Sequence, residues 1–159
     1  MSCGRKRIFV VPSPFGFHVF DSKPELCYYI WLKDNNIRFE YSPNITFSFI
    51  DKNGVEHKYH PDFLVEDKIV EIKGNHFFKE DGTMQNPWKN RNWTEEQQKD
   101  SDALYEAKHQ CMLRNGVRII TGNEYKKYNI YVEKRYGKKY LKQFKTKNEK
   151  HRLQRSKKV

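Results

Sequence analysis

The sequence predicts an α/β protein of the α+β kind, with a mixed central sheet in the order α-β-β-β-α-β and helices flanking it. Three observations predict it. Lys23 to Asn35 and Glu95 to Asn115 each place apolar residues at helical spacing behind a capping signal. Between them, Ile37 to Lys73 breaks into short strand-like runs separated by turn residues. After the second helix, Val117-Arg118-Ile119-Ile120 is a β-branched strand. A helix joining two strands of one sheet makes a parallel crossover, so this strand is expected parallel to its partner in an otherwise antiparallel sheet.

Taken in order, Ile8 to Val11 reads as a short strand, followed by a Pro12-Ser13-Pro14 loop; Arg5-Lys6-Arg7 precedes it as a phosphate contact or a solvated terminus. The first helix opens at Ser22, with Glu25 three residues on, and stops at Asn35-Asn36. Strands follow at Ile37 to Tyr41, Ile45 to Ile50 and Val55 to Val65. Asn53-Gly54 is the turn before the third, which Pro61 interrupts because proline cannot donate to the ladder. Ile69 to Lys73 closes the meander. The second helix is capped by Thr94 with Gln97 and ends at Asn115-Gly116; Ala103, Leu104, Ala107, Cys111 and Met112 are its sheet-facing stripe. Tyr125, Tyr128, Tyr131 and Val132 continue at helical spacing as a third helix. Residues 1–133 thus read as one domain, and 134–159 as a basic amphipathic helix to about Phe144 with a fraying tail.

The chemistry gathers in Tyr59 to Gly74, YHPDFLVEDKIVEIKG. Phe63-Leu64-Val65 and Ile69-Val70 flank Glu66-Asp67-Lys68, so the stretch reads as a hairpin. With Glu66-Asp67 as the turn, Asp62 falls opposite Glu71; with Asp67-Lys68 as the turn, it falls opposite Lys73. In either register Asp62, Glu71 and Lys73 share one face. Two opposed carboxylates repel, and a hard cation such as Mg²⁺ or Mn²⁺ makes the arrangement sensible. A lysine beside it can hold an attacking water or steady an anionic transition state. His60, close by, is a candidate for a proton or phosphate contact, or a surface residue.

Pro61-Asp62 followed by Glu71-Ile72-Lys73 resembles the PD-(D/E)xK nuclease superfamily, and the element order matches it over roughly Ser22 to Thr121. Within that superfamily the likeness is to small very-short-patch-repair-like, transposase-endonuclease-subunit-like and phage-encoded endonucleases. The resemblance implies a restriction-endonuclease-like core and a Mg²⁺- or Mn²⁺-dependent DNA endonuclease that hydrolyses phosphodiester bonds. It implies metal binding by Asp62, Glu71 and the Ile72 backbone carbonyl, with Lys73 orienting the water. It also implies that Glu25, on the first helix, completes the acidic cluster; Glu25 equally completes a capping box with Ser22, and the two roles are compatible. By analogy such an enzyme works in the cytoplasm of a bacterial host and is encoded by a phage or mobile element. The alternative is a catalytically weak DNA-binding or packaging module on the same fold.

Charge bears on the partner. Of 31 Lys/Arg and 20 Asp/Glu, residues 134–159 hold 12 basic and one acidic, which leaves the first 133 residues with 19 of each. The basic excess sits wholly in the tail, where Lys138, Lys139 and Lys142 are DNA-contact candidates. Lys89 and Arg91, beside Trp88, and Lys99 and Lys108, on the second helix, are further candidates. In the same irregular stretch Phe77 and Phe78 are expected to pin the loop to the core. No stretch reaches transmembrane length and no signal-peptide pattern opens the chain, so no membrane partner is expected. Cys3, Cys27 and Cys111 are far apart and read as reduced thiols, and no structural zinc is expected.

Overall fold

A computed structural model describes residues 8–14, 16–88 and 90–146. The chain begins with β1 (Ile8–Ser13), β2 (Gly16–Phe20) and α1 (Lys23–Asp34). Then come β3 (Phe39–Tyr41), β4 (Phe47–Ile50), β5 (Glu56–Tyr59), β6 (Phe63–Val65) and β7 (Lys68–Ile72). The rest is α2 (Glu95–Arg114), β8 (Arg118–Ile120), α3 (Gly122–Tyr136) and β9 (Lys145–Thr146). The protein is mixed α/β. It divides into two compact units, a terminal one drawn from Met1–Ile37 with Asn123–Val159 and a central one, Arg38–Gly122. Arg5-Lys6-Arg7, Lys89, Cys3 and, of the tail expected to fray beyond about Phe144, residues 147–159 lie outside the described residues.

In the terminal unit, β1 pairs antiparallel with both β2 and β9. The prolines of Pro12-Ser13-Pro14 suggest a loop, yet Pro12 lies inside β1. It is tolerated because β9 pairs with Ile8 and Phe9, so that among the described residues β1 is paired at Pro12 on the β2 side alone. Ser22 caps α1 by accepting the Glu25 N–H, and the helix ends at Asn35 as expected. Tyr128 of α3 packs against Tyr28 and Trp31 with ring centroids 4.8 and 4.9 Å apart. Tyr131 and Tyr136 both donate to Asp34 Oδ2. The basic helix expected to run to Phe144 stops at Tyr136 instead. Gly137 takes φ 97°, a left-handed position that glycine adopts freely, and a 3-10 turn covers Tyr140–Phe144.

The central unit carries a four-stranded sheet in the order β3-β6-β7-β8. Its pairs are antiparallel except β7–β8, which is parallel, as the α2 crossover requires. The expected simple meander is not formed. Val55 to Val65 is two strands, not one: β5 pairs with β4 as a separate hairpin, and β6 pairs with β3 and β7. Pro61 ends the ladder between them, and the freed β4–β5 hairpin lies on α2. There Phe49, Tyr59, Cys111, Met112 and Val117 form a buried cluster, with Leu104 and Ala107 packed against it.

Helix α2 has the full capping box between Thr94 and Gln97. It stops where Val117 N–H donates to the Met112 carbonyl and Gly116 N–H to that of Leu113, with Gly116 at φ 68°. The loop from Asn75 to Trp93 is tied down by α2: Glu106 accepts the Met84 N–H and Asp102 accepts the Asn86 N–H. Phe77 stacks on Tyr105 and Phe78 meets His109 edge-on, so both phenylalanines pin the loop.

Candidate active site

The site grows from the break at Pro61. The β6–β7 ladder pairs Val65 with Lys68 and Phe63 with Val70, so Glu66-Asp67 is the turn. Glu66 has φ 53°, the positive value that a two-residue hairpin turn takes at its first position in type II′. One step beyond the last backbone pair, this register sets Asp62 opposite Glu71. The carboxylates then take over from the ladder. Asp62 N–H donates to Glu71 Oε2 at 3.2 Å, and Ile72 N–H donates to Asp62 Oδ2 at 3.1 Å. On its other side the Asp62 carbonyl accepts the Ser42 N–H at 2.7 Å, which fixes the residue between two strands.

Glu71 is only 3% exposed. Strand alternation sets it on the face it shares with Asp62 and Lys73; in the structure that place is walled in, because Tyr59 from β5 covers it and donates its hydroxyl to Oε2 at 2.8 Å. Burial pushes the Glu71 carboxyl above the ordinary range, against the pull of Lys73, Lys108 and its two hydrogen bonds. Lys73 Nζ is 3.8 Å from Glu71 Oε1 and 4.6 Å from the centre of the Phe77 ring, so the ammonium is held between an acid and an aromatic face.

Lys108 is the second lysine of the site. Its place on α2 suggests DNA or solvent, but its Nζ stands 5.4 Å over the Tyr59 ring and it is half-buried. Burial lowers its pKa first and the Lys73 charge lowers it further, while Glu71 and Asp62 pull it back up. The sequence carries a signal for this. Lys108 falls four residues after Leu104 and three before Cys111, which puts a lysine on the apolar stripe of the helix. Tyr59 has no comparable signal, since a tyrosine before a histidine and proline reads as strand filler.

The remaining expected site residues are spread over both units. Glu25 belongs to the terminal unit, where its N–H donates to Ser22 Oγ and its Oε1 accepts from the same hydroxyl. Arg91 and Lys99 are exposed residues of the central unit, and Lys138, Lys139 and Lys142 are exposed in the terminal unit. Trp88 is 66% exposed and meets His76 and Phe77 edge-on. His60 is exposed and pairs through Nδ1 with Thr46 Oγ1 at 3.1 Å.

Among the described residues no group of three His, Cys, Asp or Glu side chains is gathered as a metal cage. Mg²⁺ does not need one: it keeps several waters and binds through one or two carboxylates plus substrate phosphate. Asp62 and Glu71, with oxygen donors only, fit that demand. Among the described residues no helix is long and apolar enough to cross a membrane. The chain matches no family model, no curated protein and no solved structure.

Proposed function

We propose that this chain is a Mg²⁺- or Mn²⁺-dependent DNA endonuclease with a restriction-endonuclease-like core of the PD-(D/E)xK type. The observation that carries the reading is the Asp62–Glu71 pair, in which Asp62 N–H donates to the Glu71 carboxylate and the Asp62 carboxylate accepts the Ile72 N–H, flanked by Lys73 and Lys108. A buried glutamate held above its ordinary pKa, beside an opposed aspartate, is a costly arrangement for stability alone. The parallel β7–β8 pair joined through α2 supports the same core.

Asp62, Glu71 and the Ile72 carbonyl would hold the ion, which when bound supplies Lewis acidity to the scissile phosphate. Lys73 orients the attacking water in line with the leaving oxygen. Water oxygen bonds to phosphorus as the opposite P–O bond breaks; the water gives its proton to solvent, the leaving oxygen takes one from solvent, and the negative charge that builds on the phosphoryl oxygens is met by the ammonium groups of Lys73 and Lys108. Tyr59 holds the Glu71 carboxylate in one rotamer.

The test is nicking of supercoiled plasmid with Mg²⁺, with Mn²⁺ and with EDTA, beside Glu71→Gln. Metal-dependent nicking lost in Glu71→Gln is the expected result. Binding to plasmid with no cutting under any metal would move the chain to the DNA-binding or packaging module.

A further inference from the structure

A cavity of about 360 Å³ opens beside Lys73 and Lys108, within the size range of small-ligand pockets. Its walls are two near-parallel ring pairs. Phe49 and His57 have centroids 5.3 Å apart at 24°, and Phe77 and Tyr105 have centroids 6.0 Å apart at 23°. Three lysines reach it, Lys58, Lys73 and Lys108, and none of its described lining residues is a carboxylate. Lys58 is engaged with Ser48 and Glu56, whereas Lys73 and Lys108 are the lysines that flank Glu71. The cavity therefore combines flat aromatic faces, the His57 imidazole held by Asp51 among them, with the two lysines that flank Glu71.

A phosphate alone has no use for aromatic walls, and a paired base in intact duplex has no free face to offer them. An unstacked nucleotide satisfies both halves: its base lies on the rings and its phosphate reaches the lysines. We infer that this cavity receives an unpaired nucleobase next to the scissile phosphate, so that the preferred substrate is single-stranded or bulged DNA. The inference rests on the nuclease reading for its placement of the phosphate, and on the cavity alone for its preference for a free base.

The test is binding of the full chain in EDTA, where no cutting occurs, followed by fluorescence anisotropy on three labelled oligonucleotides: a duplex, the same duplex with a one-base bulge, and the same with the bulged base removed. The bulge should bind about tenfold more tightly than the other two, the stacking gain of one base. Tyr105→Leu should bind all three at the duplex level, and Tyr105→Phe should keep the preference. Equal binding of the bulged and abasic bulged duplexes by the parent overturns the inference without recourse to any variant. The two readings fail separately. A chain that prefers the bulge yet never nicks DNA with Mg²⁺ keeps the pocket and loses the nuclease; one that nicks duplex with no preference for the free base does the reverse.

Discussion

Tyr59 donates its phenolic hydrogen to Glu71 Oε2 across 2.8 Å, from a position with no exposed surface. The bond joins two sheets, since Tyr59 ends β5 and Glu71 lies in β7. Burial first, and the Glu71 charge second, push the phenol far above its ordinary pKa, so the proton stays on Tyr59. Tyr59→Phe keeps the ring in the core cluster and removes only the donor. It is expected to cost about 1.5–3 kcal/mol at neutral pH, the worth of a hydrogen bond to a charged group. The cost should be smaller at pH 4 than at pH 8, because the missing donor matters most to the ionised carboxylate. Urea unfolding at the two pH values measures both.

Glu71 itself links stability to pH. Its carboxyl is raised in the folded chain and returns to about 4.3 when unfolded. Between those values the folded state holds a proton that the unfolded state has released, so stability falls as pH rises through the window. Glu71→Gln should therefore melt above the parent at pH 7, with the gain vanishing below about pH 4. An ion bound at Asp62 and Glu71 opposes the same penalty. Mg²⁺ at a hundred times its Kd should stabilise the parent by about 2.7 kcal/mol, and Glu71→Gln much less at the same concentration. A parent melting curve that ignores millimolar Mg²⁺ and Mn²⁺ would take the metal out of the reading.

Glu71→Ala differs from Glu71→Gln. It leaves the Tyr59 hydroxyl and the Asp62 N–H without their acceptor in a buried place. A loss of about 1–3 kcal/mol is expected beside the loss of cleavage. Circular dichroism melts of the two variants side by side separate the packing defect from the chemical one.

Lys73 and Lys108 are expected to be unequal partners in stability and similar ones in rate. Each removal should slow cleavage roughly 10²–10³-fold, as for one donor to a developing oxyanion. Lys73→Ala leaves the buried Glu71 without its ion-pair partner and should lose the more stability at pH 7, whereas Lys108→Ala strips a stem that packs over Tyr59. Single-turnover cleavage at saturating DNA, paired with thermal melts, checks both. If Lys108→Ala cuts at the parent rate, that lysine only balances the buried charge.

The basic tail predicts a salt effect. Truncation belongs after Thr146, because Lys145 and Thr146 pair with β1. Deleting 147–159 removes six Lys/Arg and one Glu. The slope of log affinity against log salt should flatten by ~0.9 for each phosphate no longer neutralised, equally on all sequences. An unchanged slope would assign the tail to another partner.

Features held by neighbours along the chain could be read from the residues alone. Ser22 with Glu25, Thr94 with Gln97, and Asn115-Gly116 mark helix ends because capping bonds span a few residues. The parallel β7–β8 pair followed from connection geometry. The convergence of Asp62, Glu71 and Lys73 followed from the period-two alternation of strands. Packing settled what depends on distant partners. It chose the Glu66-Asp67 register over its neighbour, and it sent the two halves of Val55 to Val65 to different sheets, since Pro61 forbids continuity without saying where each half pairs. It also made Glu71 a buried acid and turned Lys108 inward. A charged residue on a strand or helix has the same local propensity whether water or a tyrosine covers it; only the packing of β5 and α2 over β7 sets its solvation, and with it the pKa and the chemistry.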